Sequence, residues 1–177
     1  SSAASDVYKR QWQAADMNPS TGSSPGFKLQ ILVGDTIYFD ADTGAGTGRE
    51  LWAHNISNLS TWRVTDIASG SADSWPGTYM EILVGDTLYF SSYEVSSGYE
   101  MWAHNTSNLS TWRVKDISSS GSSNPGQYMS ILVGETIYFS ADDGNSGAEL
   151  WAHNTFNNST WRVKDISSSG SSNPGQY

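Results

Sequence analysis

One unit of about 50 residues occurs three times in this chain, and this repetition constrains the fold more than any other feature. The segment ILVGDTIYF from Ile31 recurs as ILVGDTLYF from Ile82 and as ILVGETIYF from Ile131, at offsets of 51 and 49 residues. Pro-Gly pairs mark the same place in successive units and begin at Pro25, Pro76, Pro125 and Pro174. A chain with this period is expected to fold as an array of similar units.

Each unit has the pattern of four short strands and no helix signal. In the third unit the strands are predicted at residues 128–133, 136–141, 148–154 and 160–166. Gly134-Glu135 joins the first two, and glycine at the first loop position favours a two-residue hairpin of type II′. A sheet of this size cannot bury both faces alone, so neighbouring units must stack. The sequence therefore predicts an all-β fold, a partial β-propeller of about three four-stranded antiparallel blades.

Two other repeat architectures fit the pattern less well. A β-solenoid would use shorter coils, and a lectin-like trefoil would have a different plan of strands. Four strands in about 40 to 50 residues are typical of a propeller blade.

Both ends of the chain lie inside a repeat. WQAADM from Trp12 aligns with WRVTDI from Trp62, so residues 12–17 are predicted to end a blade. Complete repeats follow at about 25–67, 76–117 and 125–166, and residues 174–177 begin another. We therefore expect residues 12–177 to be an incomplete propeller, truncated at both ends, whose first partners are neighbouring blades of a longer chain.

The first eleven residues, SSAASDVYKRQ, resemble a translated sequencing adaptor and are left out of the fold prediction. The remaining chain has 17 acidic and 7 basic side chains, a net charge of 7 − 17 = −10. This balance argues against nucleic acid as a partner, because phosphate binding needs concentrated cations. The chain has no cysteine, which excludes disulfides and thiolate metal sites. No apolar run approaches the ~18 residues of a membrane span.

Several short motifs resemble those of the bacterial and archaeal ELWxxDGT repeat family over residues 12–177. They are Glu50-Leu51-Trp52, Leu88-Tyr89-Phe90, Val114-Lys115-Asp116-Ile117 and Glu149-Leu150-Trp151. The chain departs from the family after the ELW strand, where AHNTSNLSTW from Ala103 replaces the DGT turn. The resemblance implies a propeller-like architecture and an extracellular or cell-surface location, but no activity.

The three histidines occupy one repeated position, beside a repeated tryptophan. Three blades could aim them at a common axis as a metal site, or each could join a packing cluster within its own blade. Identical copies favour packing, since catalysis needs a few differentiated residues. We predict no catalytic or cofactor-binding residue, and a structural repeat cluster of Trp52, His54, Asp66, Trp102, His104, Asp116, Trp151, His153 and Asp165.

Clustered carboxylates near the second turn of two units offer calcium as the one candidate cofactor. The candidate ligands are Asp40, Asp42, Asp142 and Asp143. The second unit has Ser91-Ser92-Tyr93-Glu94 there instead, so ordinary Asp/Gly turns are the alternative interpretation.

Asn-x-Ser/Thr sequences cluster in the third turn of each unit, so attached glycans would project from one rim. The candidate asparagines are Asn55, Asn58, Asn105, Asn108, Asn157 and Asn158.

We predict a non-catalytic surface or secreted repeat module for binding or adhesion, with a glycan or a protein as ligand. Whether the whole protein is an enzyme stays open. One alternative is a fragment of a propeller enzyme, such as a glycoside hydrolase, whose catalytic residues lie outside the fragment, and another is a structural spacer. Ser110-Thr111-Trp112 shares only the ending of the sialidase Asp box, and that match is rejected. The most individual loop is Tyr93 to Tyr99.

Overall fold

A computed structural model of the protein describes residues 13–19, 22–44 and 46–176. The adaptor-like segment, Trp12 and Tyr177 lie outside the described residues. The described chain contains twelve strands and no helix, and therefore no helix that could cross a membrane. The strands form three separate four-stranded antiparallel sheets, each built from strands adjacent in sequence.

The three sheets repeat the same plan. The first contains β1 (Gln30–Val33), β2 (Thr36–Asp42), β3 (Arg49–Asn55) and β4 (Thr61–Thr65). The second contains β5 (Glu81–Val84), β6 (Thr87–Glu94), β7 (Gly98–Asn105) and β8 (Thr111–Lys115). The third contains β9 (Ser130–Val133), β10 (Thr136–Asp142), β11 (Ala148–Asn154) and β12 (Ser159–Lys164). The predicted all-β fold of about three four-stranded antiparallel blades is confirmed.

Two strand ends differ from the sequence prediction by two residues, and hydrogen bonds to side chains explain both. The N–H of Tyr128 donates to Ser140 Oγ at 3.0 Å, so β9 begins only at Ser130. At the other end, the N–H of Ile166 donates to the Glu149 carboxylate at 2.9 Å, and β12 ends at Lys164. In both places a side-chain oxygen accepts the backbone N–H that would otherwise pair with the neighbouring strand.

The hairpin between the first two strands of each sheet has the predicted two-residue loop. Val33 pairs with Thr36, and Gly34 between them has a φ of 56°. Gly85 and Gly134 have φ values of 55° and 59°. The second loop residue has no positive φ in any of the three hairpins, which matches type II′ rather than type I′.

Each sheet presents two different faces because side chains alternate along a strand. The Trp-His face of a sheet carries the repeated tryptophan and histidine, with Ile37, Phe39, Trp52 and His54 in the first sheet. The Tyr face carries the alternate residues, with Tyr38, Leu51, Ala53 and Trp62 in the first sheet.

The sheets stack in chain order, Tyr face against Trp-His face. One core cluster joins Tyr38 and Leu51 of the first sheet to Phe90 and Trp102 of the second. The other core cluster makes the same junction between the second and third sheets, with Tyr89, Met101, Phe139 and Trp151. The hydrophobic core therefore lies between consecutive sheets, as the predicted blade arrangement requires.

A buried glutamate in each sheet holds the linker that leads to the next sheet. Glu100 has no exposed surface and accepts the N–H of Ile117 at 3.0 Å. It also accepts the N–H of Ser123 at 3.1 Å and the hydroxyl of Ser123 at 2.7 Å. Glu50 and Glu149 make equivalent bonds to their own linkers. Each carboxylate thus satisfies several linker donors at once and fixes where the chain crosses.

The three glutamates differ in pKa because their surroundings differ. Burial raises the pKa of Glu50 and Glu100 to about 7, against hydrogen bonds from the linker that lower it. At Glu149 burial also raises the pKa, but bonds from Ile166 and Ser172 outweigh it and the net pKa is lowered. No described sheet packs beyond the third one, so its glutamate is surrounded by less protein.

Replacing Glu100 by glutamine should change how stability depends on pH. With a pKa of about 7 in the folded state and 4.5 as its ordinary value, the Glu100 carboxyl binds its proton more tightly when folded. Its contribution is therefore complete below pH 4.5 and is lost as the pH rises through 7. We compare the unfolding free energy of wild type with that of Glu100→Gln at each pH. At about 1.4 kcal/mol per pKa unit, this difference should fall by about 3 kcal/mol as the pH rises from below 4.5 to above 7.

Urea unfolding at a series of pH values, followed by tryptophan fluorescence, measures this difference. Glu149→Gln is the matched control and should show the opposite trend, because the pKa of Glu149 is lowered in the folded state. Parallel pH profiles for wild type and Glu100→Gln would contradict the raised pKa of Glu100 in the folded state.

Candidate functional site

The three repeated histidines lie on the Trp-His faces of three different sheets and do not converge. His54 Nδ1 lies 2.7 Å from Thr61 Oγ1, and the other two histidines share the same bond with a threonine at 2.9 and 2.8 Å. His104 packs on the Tyr38 ring and His153 on the Tyr89 ring of the preceding sheet, each with centroids 5.3 Å apart. His104 and His153 thus connect neighbouring sheets.

Burial lowers the pKa of His104 and of His153 to about 4. Both imidazoles are therefore neutral near pH 7, which suits a packed ring. Within the described ranges, no group of three or more His, Asp or Glu side chains is placed to hold a metal ion.

The tryptophans and aspartates of the predicted repeat cluster are not hydrogen-bonded to these histidines. The buried indole N–H groups of Trp52, Trp102 and Trp151 have no hydrogen-bond partner among the described residues. The aspartates follow the ends of β4, β8 and β12 and are exposed. Each pairs with the arginine three residues earlier: Asp66 with Arg63 at 3.5 Å, Asp116 with Arg113 at 3.3 Å, and Asp165 with Arg162 at 3.6 Å. The single hydrogen-bonded cluster expected from the sequence therefore divides into an inner His-Thr pair and an outer Arg-Asp pair.

The four candidate calcium ligands bind groups of the protein itself. Asp40 is buried, accepts the N–H of Lys28 at 2.8 Å and of Leu29 at 2.9 Å, and pairs with Arg49 at 2.7 Å. Asp42 and Asp142 each accept the N–H of the glycine two residues later at 2.8 Å. Asp143 accepts the N–H groups of Asn145 and Ser146. The bonds of Asp42, Asp142 and Asp143 are those of Asp/Gly turns, whereas Asp40 binds the linker backbone and Arg49.

The candidate glycosylation sites lie together at one rim, at the ends of β3 and β7 and in the turns that follow β3, β7 and β11. Asn55 and Asn105 are half-buried, and their amide oxygens accept turn N–H groups. The other four, Asn58, Asn108, Asn157 and Asn158, are exposed. This rim is the end of the sheets opposite the linkers.

Five aromatic side chains lie at the other rim, where the linkers meet the turn between the two central strands of each sheet. We call them the aromatic rim, and they are Phe27, Trp75, Tyr79, Tyr93 and Tyr99. Phe27 and Trp75 meet edge to face with centroids 6.4 Å apart. Tyr99 lies 5.1 Å from Tyr79 and 5.4 Å from Tyr93. Phe27 is 65% exposed and the other four are half-buried.

A buried arginine supports the first part of this rim. The Arg49 guanidinium lies 5.0 Å from the Trp75 ring centre and 5.9 Å from that of Phe27. It is held from below by Asp40 and by a hydrogen bond to the Ser24 carbonyl at 3.0 Å. The two rings thus rest on a cation whose own position is fixed.

Four of the five rim aromatics occur where the other units have different residues. Phe27 corresponds to Thr78 and Gln127, Trp75 to Ser24 and Asn124, Tyr93 to Asp42 and Asp142, and Tyr99 to Arg49 and Ala148. Stacking requires similar residues at equivalent positions of every sheet, so packing between sheets does not explain these four differences. The sequence had drawn attention only to the loop from Tyr93 to Tyr99. A position-by-position comparison of the units would also have found Phe27 and Trp75.

Trp75 has an unfavourable backbone conformation. Its φ is 46°, in the left-handed region, as are those of Ser24, Asn124 and Asn173 at the equivalent positions. Asparagine tolerates this region, whereas for a bulky side chain it costs about 1–2 kcal/mol. A bulky, half-buried residue kept at such a cost marks a candidate functional position.

The fold is similar to that of known structures, while sequence comparisons find no relative. No protein-family model matches the chain, and no curated protein matches it. TolB from Acinetobacter baumannii aligns with 76% of the chain at 13% identity and a TM-score of 0.45. A puromycin-hydrolyzing peptidase from Mycobacterium tuberculosis aligns with 81% at 11% identity and a TM-score of 0.52. The chain spans 30% of the TolB chain and 21% of the peptidase chain.

At such identities the likeness concerns the fold alone. Together with the three stacked sheets, it defines the chain as a β-propeller module that carries an aromatic rim at one end. The resemblance to the ELWxxDGT family remains a prediction.

Replacing Trp75 by asparagine, the residue of the next unit, should change the free energy of unfolding by no more than about 1 kcal/mol. Asparagine removes the backbone strain of a tryptophan in the left-handed region, and this gain offsets the loss of the contact with Arg49. Trp102→Asn is the matched control, since that ring packs in the core, and it should cost at least about 3 kcal/mol. Urea unfolding measures both, and equal losses in the two variants would refute the strain at Trp75.

Proposed function

We propose that this chain is a non-catalytic binding module of a surface or secreted protein, and that the aromatic rim is its glycan-binding surface. The observation that carries the proposal is the gathering of five partly exposed aromatic rings at one rim, four of them at positions where the repeat is broken.

Stacking on aromatic rings suits a sugar, because aromatic side chains offer large rigid surfaces with few rotatable bonds. The rim is organised in advance, since Arg49 supports Trp75 and Phe27 and the three tyrosines support one another. A surface that is ordered before binding loses less entropy when it binds. Polar groups also lie beside the rings, among them the Thr78 hydroxyl and the Asp73 carboxylate near Tyr99.

The location of the candidate glycosylation sites agrees with a secreted or cell-surface module. All six asparagines lie at the rim opposite the aromatic one, so attached glycans would leave the aromatic rim open. The resemblance to the ELWxxDGT family supports the same location.

Two other functions stay as hypotheses with weaker support. A fragment of a propeller enzyme finds an analogy in the puromycin-hydrolyzing peptidase, but 11% identity relates only the folds. A purely structural spacer would not explain why four aromatic residues of the rim occupy positions where the other units have different residues.

A glycan array probed with the full chain tests the proposal. We expect binding of a subset of glycans, and Trp75→Ala and Tyr99→Ala should each weaken it at least tenfold, about 1.4 kcal/mol. The control is Phe156→Ala, because Phe156 is 80% exposed at the opposite rim, and this variant should bind like wild type.

Three results would overturn the glycan proposal. They are binding to no glycan, binding that both rim variants retain, and binding to a matrix protein alone that Trp75→Ala abolishes. The last result would assign the rim to a protein ligand instead.

A further inference from the structure

An open polar pocket lies at the linker end of the third sheet, at the same rim as the aromatic residues. Its volume is about 240 Å³, and its wall belongs to β10, to β11 and to the linkers on either side of this sheet. The wall includes Asn124, Gln127, Tyr128, Ser140, Asp142 and Ala148. The pocket therefore forms within one sheet and its linkers.

A long side chain fills the same place in the first sheet. The Arg49 guanidinium donates to the Ser24 carbonyl at 3.0 Å and to Asp40 at 2.7 Å, and it lies 5.9 Å from the Phe27 ring centre. The residues of the third sheet at these three positions are Asn124, Ser140 and Gln127. All three belong to the pocket wall.

In the second sheet, Tyr99 fills that place. The centre of its ring lies 5.1 Å from that of Tyr79 and 5.4 Å from that of Tyr93. The equivalent residues on the wall of the third sheet's pocket are Tyr128 and Asp142. Ala148 occupies the position of Arg49 and Tyr99, as the pairing of the central strands shows. Its methyl group leaves open the space that a long side chain fills in the other two sheets.

Polar groups on the wall are available to a ligand. Within the described chain, the side-chain amides of Asn124 and Gln127 form no hydrogen bond. Asp142 uses one carboxylate oxygen to accept a backbone N–H at 2.8 Å, and its other oxygen is open to a ligand. The Ser140 oxygen accepts the N–H of Tyr128 at 3.0 Å, so its hydroxyl proton can be donated. The wall thus offers both donors and acceptors.

This wall suits hydroxyl groups better than it suits a cation. In the first sheet the buried Asp40 carboxylate holds a guanidinium, and Ser140 replaces that carboxylate in the third sheet. A hydroxyl group both donates and accepts, so it matches a mixed set of amide, hydroxyl and carboxylate groups. The half-buried Tyr128 ring adds an aromatic surface for stacking. The pocket has the volume of about eight water molecules at about 30 Å³ each, which is the size of one sugar ring.

We propose that this pocket binds one uncharged sugar residue and is a subsite of the glycan-binding surface. The inference rests on the proposed glycan binding, and it adds where one residue of the glycan lies and which charge that residue carries. Asp142 accepts a sugar hydroxyl in a charge-assisted hydrogen bond. The same carboxylate repels a sugar acid, so the pocket selects neutral residues.

The pocket adjoins the aromatic rim through the linker that enters the third sheet. The N–H groups of Ser123 and Asn124 donate to the Tyr99 carbonyl at 2.9 and 3.2 Å. Both residues also line the pocket. One glycan chain can therefore stack on Tyr99 and place its next residue in the pocket.

NMR titration of the isotope-labelled full chain with free methyl glycosides tests the pocket. At least one neutral methyl hexoside should bind saturably and shift the backbone amide signals of Ser140, Ala141 and Asp142. Methyl hexuronides carry a carboxylate of their own, and they should bind about tenfold more weakly because like charges repel.

Two variants of the wall and one matched control locate the binding. Ala148→Tyr introduces the residue of the second sheet, fills the pocket and should weaken binding of the neutral glycoside by about tenfold or more. Asp142→Asn removes the charge, so it should weaken binding by about threefold and reduce the preference over hexuronides. Asp42→Asn is the control, since Asp42 makes the same turn bond in the first sheet, where Arg49 fills the pocket. It should bind like wild type, and the NMR spectrum shows whether each variant is folded.

The same variants on the glycan array separate this inference from the proposed function. Glycan binding that Trp75→Ala weakens and Ala148→Tyr retains in full would overturn the pocket and leave the aromatic rim as the binding surface. Amide shifts centred on Tyr99 instead of Ser140 would do the same. Equal binding of neutral and acidic glycosides would contradict the selection by Asp142. A chain that binds no glycan at all would overturn the proposed function, and the pocket with it.

Discussion

The hydrogen bonds from each linker to a buried glutamate are the constraint on which the rest of this structure depends. Glu50, Glu100 and Glu149 lie near the start of β3, β7 and β11 and bind the linker that leaves their own sheet. A sheet of four short strands has two apolar faces, and it is stable only when a neighbouring sheet packs on it in a fixed relative position. Because the carboxylate fixes the path of the linker between two sheets, it sets their relative position. The Tyr face of one sheet then packs against the Trp-His face of the next.

Repetition and its interruptions have separate roles in this chain. The repeated residues, such as His104 and Tyr89, lie between sheets and serve the stacking. The residues that break the repeat, such as Trp75 and Tyr99, lie at one rim and contact one another. Stacking requires identical faces, whereas recognition of a ligand requires a local surface unlike the rest. The same chain satisfies both needs because the rim lies outside the contact between sheets.

The sequence by itself determined the strands, the type II′ hairpins and the four-stranded plan, because these depend on alternation and turn residues within a few positions of each other. It could not show that Glu50 binds its own linker, since the linker donors lie 17 to 24 residues away. Nor could it pair His104 with Tyr38 or bring Tyr79 to Tyr99, because those contacts arise only when sheets and linkers pack. Only the tertiary structure separated Asp66 from His54 and gathered the aromatic rim, since distance along a chain does not decide which side chains meet after stacking.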